Sequence, residues 1–301
     1  MAVLLVACQR EEEALVQKEE PTEASWTLTV RAVQGIPGEA GNETKAVAIG
    51  EGDTEANTQT LKSYWMDGER VNVYLDDAKI GSLTAHPDEA DAHYATLEGT
   101  VTTSSISAGT TRLTLLTVDA DNWTYTGQEG RLLWYFNDNG NSISSKYSVA
   151  KAENVLVTAV SGESITTEPA TFANQQSIYR LSFRFQKNGV GDKIPINVQR
   201  VILSAKNGGL WRNVSEGTGP ITVVIPSATT EPFFVALRNT NTTSDEVLNF
   251  QVIGSDGFTY LGSKSIPAAY MPWGTFVSIK NTTLTSRLGV PLISETVNTA
   301  L

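Results

Sequence analysis

Apolar residues along this chain recur at every second position, in short runs. Trp26-Thr27-Leu28-Thr29-Val30 alternates cleanly, as do Val71-Asn72-Val73-Tyr74-Leu75, Leu113-Thr114-Leu115 and Ile178 to Phe185. Later runs are Val198 to Leu203, Ile221 to Ile225, Phe233 to Leu237, Phe250 to Ile253 and Phe276 to Ile279. A period of two puts alternate side chains on one face of a pleated strand, so each run predicts a strand with one buried face. Asp67-Gly68, Asp138-Asn139-Gly140, Asn188-Gly189, Asn207-Gly208-Gly209 and Asp256-Gly257 separate the runs and predict turns. No long stretch keeps the three-and-four spacing of an amphipathic helix. Residues 11–20 have only the adjacent Ala14, Leu15 and Val16 as apolar positions, which make no continuous face. Short strands with frequent turns predict an all-β protein built of β-sandwiches.

A length of 301 residues accommodates two such domains, and the strong strand beginning at Ile178 predicts a boundary near Asn174 to Ser177. The expected organisation is a leader remnant over 1–8, a tether over 9–25, and domains over 26–174 and 175–301. Hydrophobic residues make up 40% of the chain, enough for real cores, while charged residues are only 18%. The net charge of −11, without a basic stripe, speaks against nucleic-acid binding, which needs clustered Lys and Arg on phosphate.

A single cysteine excludes an intrachain disulfide framework. Its position is informative: Met1 to Ala7 is apolar, Cys8 follows, and the chain then turns polar. Leu5-Val6-Ala7-Cys8 resembles a bacterial lipobox, which implies that Cys8 is acylated and anchors the protein to outer-membrane lipid. Gln9-Arg10-Glu11-Glu12-Glu13 resembles the acidic signal that exports Bacteroidales lipoproteins to the cell surface; a solvated linker has the same composition. No run approaches the ~20 apolar residues of a membrane-spanning helix.

Catalytic and metal chemistry find little support. The two histidines lie in His86-Pro87-Asp88-Glu89-Ala90-Asp91-Ala92-His93, which has ligand-type side chains but not the spacing of a zinc helix, and which predicts a hairpin loop. Asp119-Ala120-Asp121-Asn122-Trp123 begins like a calcium loop and fails at Trp123, Thr124 and Gly130. Nucleophile-elbow and phosphate-loop patterns are absent from the sequence, so no catalytic residue, metal or cofactor is expected. Trp65, Trp123, Trp134, Tyr135, Trp211, Tyr260, Tyr270 and Trp273 are candidates for a sugar platform, with core packing as the simpler role.

Several short motifs occur in an order that resembles one family. They are Trp26-Thr27-Leu28-Thr29-Val30 with Thr44-Lys45-Ala46, then Trp123-Thr124-Tyr125-Thr126-Gly127-Gln128-Glu129-Gly130 and Lys146-Tyr147-Ser148-Val149-Ala150. Ala170-Thr171-Phe172-Ala173-Asn174-Gln175-Gln176-Ser177-Ile178 and Phe233-Phe234-Val235-Ala236-Leu237-Arg238 complete the set. Together they resemble the fimbrillins of Bacteroidales, subunits of type V pili and their lipoprotein relatives. The tail from Leu288 to Leu301 departs from the family pattern.

The resemblance implies two tandem transthyretin-like β-sandwiches in a surface-exposed fimbrial subunit or adhesin that assembles with its own copies or related subunits. It also implies a route: an arginine- or lysine-specific protease removes the first strand, and a strand of the next subunit fills the groove. Trp26, Leu28 and Val30 have the spacing of an exchangeable edge strand. Arg31, at the predicted strand end, is the first candidate for processing, and Lys45, past the glycine-rich stretch 35–41, the second. The competing expectation is a monomeric surface lipoprotein that binds carbohydrate or a host ligand.

Overall fold

The alternating runs become strands. A computed structural model describes residues 23–34, 43–48, 60–62, 65–117, 120, 123–133, 147 and 149–289. Cys8 and its acidic run, most of the expected tether, the stretch 35–41, Asp138-Asn139-Gly140, Trp134, Tyr135, Lys146 and residues 290–301 lie outside the described residues, as does most of the calcium-like stretch. Helix, among the described residues, is confined to single turns such as Lys187–Gly189 and Ala268–Tyr270. None is long and apolar enough to cross a membrane.

The first half of the chain contributes β1 (Ala24–Gln34), β2 (Glu43–Ala48), β3 (Thr60–Lys62), β4 (Arg70–Leu75), β5 (Ala78–Pro87), β6 (Tyr94–Thr103), β7 (Arg112–Leu116), β8 (Gln128–Glu129), β9 (Ala150–Ser161), β10 (Ser164–Thr167) and β11 (Ala170–Asn174). Eight of these form one sheet in the order β10-β1-β11-β9-β7-β4-β5-β6, and further pairings join β1 to β6 and β10 to β9. The hydrogen bonding therefore runs full circle. β1 closes it, with β6 on one side and β10 followed by β11 on the other. Alternate residues point inward: Leu28, Val30, Val71, Val73, Leu83, Leu97, Leu113, Leu115, Val157 and Ile165 share a core with Trp65, whose indole meets Phe172 edge-on at 4.9 Å. Asp76 and Asp77, both at positive φ, make the tight turn from β4 to β5 in place of the usual Asn-Gly.

The second half contributes β12 (Ser177–Phe185), β13 (Ile194–Pro195), β14 (Val198–Ala205), β15 (Trp211–Asn213), β16 (Gly217–Thr218), β17 (Ile221–Thr229), β18 (Phe233–Leu237), β19 (Glu246–Gly254), β20 (Thr259–Ile266), β21 (Phe276–Leu284) and β22 (Ser286–Leu288). Two sheets face each other. One runs β13-β12-β21-β2-β3, with β18 also beside β12; the other runs β22-β20-β19-β14-β17-β8. Phe183 of the first sheet meets Phe250 of the second at 5.1 Å, in a core that includes Leu181, Val201, Leu203, Val223, Phe233 and Ile279. This core also takes in Tyr125, Tyr147 and Val149, which precede residue 174 in the chain. The outer strand of each sheet at one flank, β3 with β2 and β8, comes from the first half of the chain.

Candidate strand-exchange groove

The candidate exchanged strand, Trp26 to Val30, lies within β1, with two differences from the sequence expectation. The strand runs from Ala24 to Gln34 and is longer than Trp26 to Val30 at both ends. It is also an interior strand and not an edge. Its antiparallel register with β6 extends without a break from Ala24 opposite Thr103 to Val33 opposite Tyr94. On the other side Thr27 to Thr29 run parallel to Ser164 to Thr166, and Ala32 to Gln34 parallel to Ala170 to Phe172. The extra length follows from Ala32 and Val33, which are buried and continue the strand past Arg31. The interior position follows from β10 and β11, which bring a second set of backbone partners from far along the sequence.

Trp26, Leu28 and Val30 lie on one face of β1. Leu28 and Val30 are fully buried, while Trp26 is half-buried and packs against the same core. Burial of Leu28 and Val30 contributes roughly 1.5–3 kcal/mol each. Thr27 is exposed on the opposite face, and its N–H donates to the Glu163 carbonyl at 2.8 Å, away from β6. Removal of β1 would uncover the apolar floor and leave unpaired N–H and C=O groups on β6, β10 and β11. Such a cleft is satisfied by another extended segment with apolar residues at every second position.

The structure places Arg31 inside β1, opposite Thr96, three residues before the strand ends, and not at its end. Its Nη1 donates to Asp88 Oδ1 at 2.7 Å and its Nη2 to the other carboxylate oxygen; the Tyr94 ring lies 5.3 Å away. The hydrogen bond from Arg31 holds Asp88 below the usual carboxylate range. Lys45 lies in β2, whose residues 43–45 pair with β3 and whose residues 46–48 pair with β21. The strands of the two candidate processing positions thus belong to different sheets.

The expected His86 to His93 hairpin loop is shorter in the structure: His86 and Pro87 extend β5, opposite Thr96 and Ala95, and residues 88–93 connect β5 to β6. His86 Nδ1 lies 3.2 Å from Asp67 Oδ1, and His93 Nδ1 lies 2.7 Å from Asp91 Oδ1. Among the described residues no three ligand-type side chains converge on a metal position. The sugar-platform aromatics divide: Trp65 is core, while Trp123, Trp211 and Trp273 surround Arg238, whose Cζ lies 4.4, 5.7 and 4.0 Å from the three rings. Their faces are turned to the chain's own guanidinium. Arg238 also donates to Gln175 Oε1 at 3.3 Å, and burial lowers its pKa. The sequence motifs contain Trp123, Gln175 and Arg238 but not Trp211 or Trp273, and give no sign that these residues meet.

No protein-family model matches the chain, and no curated protein matches it. Solved structures give distant resemblances. A candidate cell adhesion protein from Bacteroides fragilis is 13% identical with a TM-score of 0.37, over 87% of this chain and 95% of that one. One from Parabacteroides distasonis is 11% identical with a TM-score of 0.38, over 89% and 91%. The fimbrial anchor protein Mfa2 from Porphyromonas gingivalis is 13% identical with a TM-score of 0.34, over 81% and 84%.

Proposed function

We propose that this chain is a cell-surface fimbrial subunit or fimbrillin-like adhesin of the outer membrane, lipid-anchored through Cys8, whose β1 is exchanged for a strand of another subunit. The observation that carries this reading is the place of β1: it is the first described strand of the chain, and it completes the N-terminal cycle of strands between β6 and the β10–β11 pair, with Leu28 and Val30 in the core. A vacated position of this kind is completed by main-chain hydrogen bonds and alternate apolar side chains, neither of which demands one particular sequence. The work of the molecule on this reading is assembly and adhesion and not catalysis, and its partners are copies of itself, related subunits and a surface ligand of the host or of another bacterium.

Processing explains how β1 leaves. A cut at Arg31 divides the strand and strands its last three residues in the groove; a cut at Lys45 frees β1 whole. Release of the backbone into a protease cleft is also easier from β2, whose residues 43–45 pair with β3 alone and whose residues 46–48 pair with β21 alone. Lys45 therefore becomes the favoured position and Arg31 the second. The test is N-terminal sequencing of the protein extracted from the cell surface. A new N-terminus at residue 46 or 32 on assembled material supports the proposal, whereas assembled material that begins only at acylated Cys8 contradicts it.

A further inference from the structure

The chain contains a second strand-accepting cleft, which is occupied by its own residues. β17 and β18 belong to different sheets of the C-terminal sandwich, and a segment of the first half of the chain lies between them. On one side Gln128 and Glu129 run parallel to Val223 and Val224 of β17, with the Gly130 N–H on the Val224 carbonyl at 2.9 Å. On the other side Arg131 exchanges backbone hydrogen bonds with Phe234 of β18, at 3.2 and 2.7 Å. The fully buried Gln128 side chain continues this second edge. Its Nε2 donates to the Ala236 carbonyl at 2.7 Å and its Oε1 accepts from the Ala236 N–H at 2.8 Å. An amide side chain here imitates a strand residue.

Two further features make this cleft selective. A Cβ on Gly130 would come within 2.5 Å of Ile225 Cδ1 and 2.7 Å of Phe233 Cδ2, one from each wall, so only glycine fits. The buried Tyr125 hydroxyl donates to Gln176 Oε1 at 2.8 Å, and the same oxygen accepts the Val149 N–H at 2.9 Å. The segment is thus pinned to the junction between the two cores as well as to both sheets. The β1 groove reads backbone and apolar alternation; this cleft reads a tyrosine, a glutamine three residues later and a glycine two after that.

We infer that residues 123–131 are a built-in strand ligand of the C-terminal sandwich, and that the cleft between β17 and β18 is an interaction surface specific for this segment, which ties the first half of the chain to that sandwich. The inference stands on these contacts whether or not β1 is exchanged. The C-terminal sandwich depends on residues that the expected boundary at 174 assigns to the other domain.

The experiment is hydrogen exchange on the full chain, comparing the native protein with Gln128→Met, which keeps the side-chain length and removes the amide, and with Gly130→Ala, which wedges the cleft. Both variants should exchange at least about tenfold faster across 221–237 than native protein, with β4 to β6 changed less than about twofold. An added peptide spanning 123–133 of native sequence should restore protection across 221–237 in the Gly130→Ala chain. If Gly130→Ala fails to fold, the Gln128→Met comparison decides alone. Faster exchange confined to 123–133, with 221–237 as protected as in native protein, would overturn the inference.

Discussion

Arg31 forks onto the carboxylate of Asp88 and so ties the middle of β1 to the loop between β5 and β6. The pair is partly exposed, so its contribution is small, but it acts on the strand proposed to leave. Its pH dependence follows from the direction of the shift. Asp88 is held below the usual carboxylate range by the Arg31 hydrogen bond, so the tie is present above that range and is lost as pH falls through the depressed value. Asp88→Asn should speed exchange of the β1 amides about two- to fivefold at neutral pH. The difference from native protein should vanish in acid, where both carboxyl and amide are neutral.

The two faces of β1 differ in what they contribute. Leu28→Ala removes a fully buried side chain and should destabilise by about 2–5 kcal/mol. Trp26→Ala should destabilise less than Leu28→Ala, because Trp26 is only half-buried. Thr27→Ala, on the outer face, should stay within about 0.5 kcal/mol of native protein. Denaturant unfolding of the three variants measures this order, which a strand lying loosely on the surface would not produce.

Glu246 is a buried carboxylate with a structural task. It accepts backbone N–H bonds from Lys206, Asn207, Gly208 and Val247 at 2.8 to 2.9 Å and so anchors the loop after β14 to the start of β19. Burial alone would push its pKa up, but these donors outweigh it and hold the group below its ordinary value. Its contribution is therefore present above the ordinary carboxylate range and is lost as pH falls through the depressed value. Glu246→Ala should destabilise at neutral pH by roughly 1–3 kcal/mol for each donor that water does not reach, with a smaller loss in acid.

Glu69 shows the opposite sign. Burial raises its pKa to about 7, and a single N–H from Met66 at 3.3 Å offsets this only in part. The folded chain holds this proton more tightly than the unfolded chain, so the group's contribution falls as pH rises from the ordinary carboxylate range to about 7. Glu69→Gln should remove that slope from the stability profile and stabilise the protein at and above pH 7.

The legible part of this fold is the part governed by local pattern. The alternation of β1, β12, β14 and β17 is visible in sequence because one face of each is the more deeply buried, whereas β18 is buried along its whole length and reads as a continuous apolar run. The parallel partners of β1 are not visible, because β10 and β11 lie more than a hundred residues away and alternation carries no partner identity. Gly127 to Gly130 reads as a turn. Gly127 does turn, at a positive φ of 71°, but Gln128 and Glu129 are a two-residue strand whose role comes from β17 and β18. The motif residues Tyr125, Gln128, Gln176 and Arg238 stand out in sequence by order alone; their meeting at one junction is a property of the folded chain.

The most direct test of the exchange account locks β1 in place. The Thr27 N–H points to Glu163, so Thr27 and Thr100 form a pair without mutual hydrogen bonds, the kind whose Cβ atoms lie closest, and both are exposed. In a Cys8→Ser background, a Thr27→Cys, Thr100→Cys chain should form a disulfide between β1 and β6. Treated with a lysine-specific protease, this chain should remain monomeric by size-exclusion chromatography until reductant is added and then assemble with loss of β1. Equal assembly of the locked and reduced chains, or a cleaved and reduced chain that stays monomeric with β1 bound, would contradict the account.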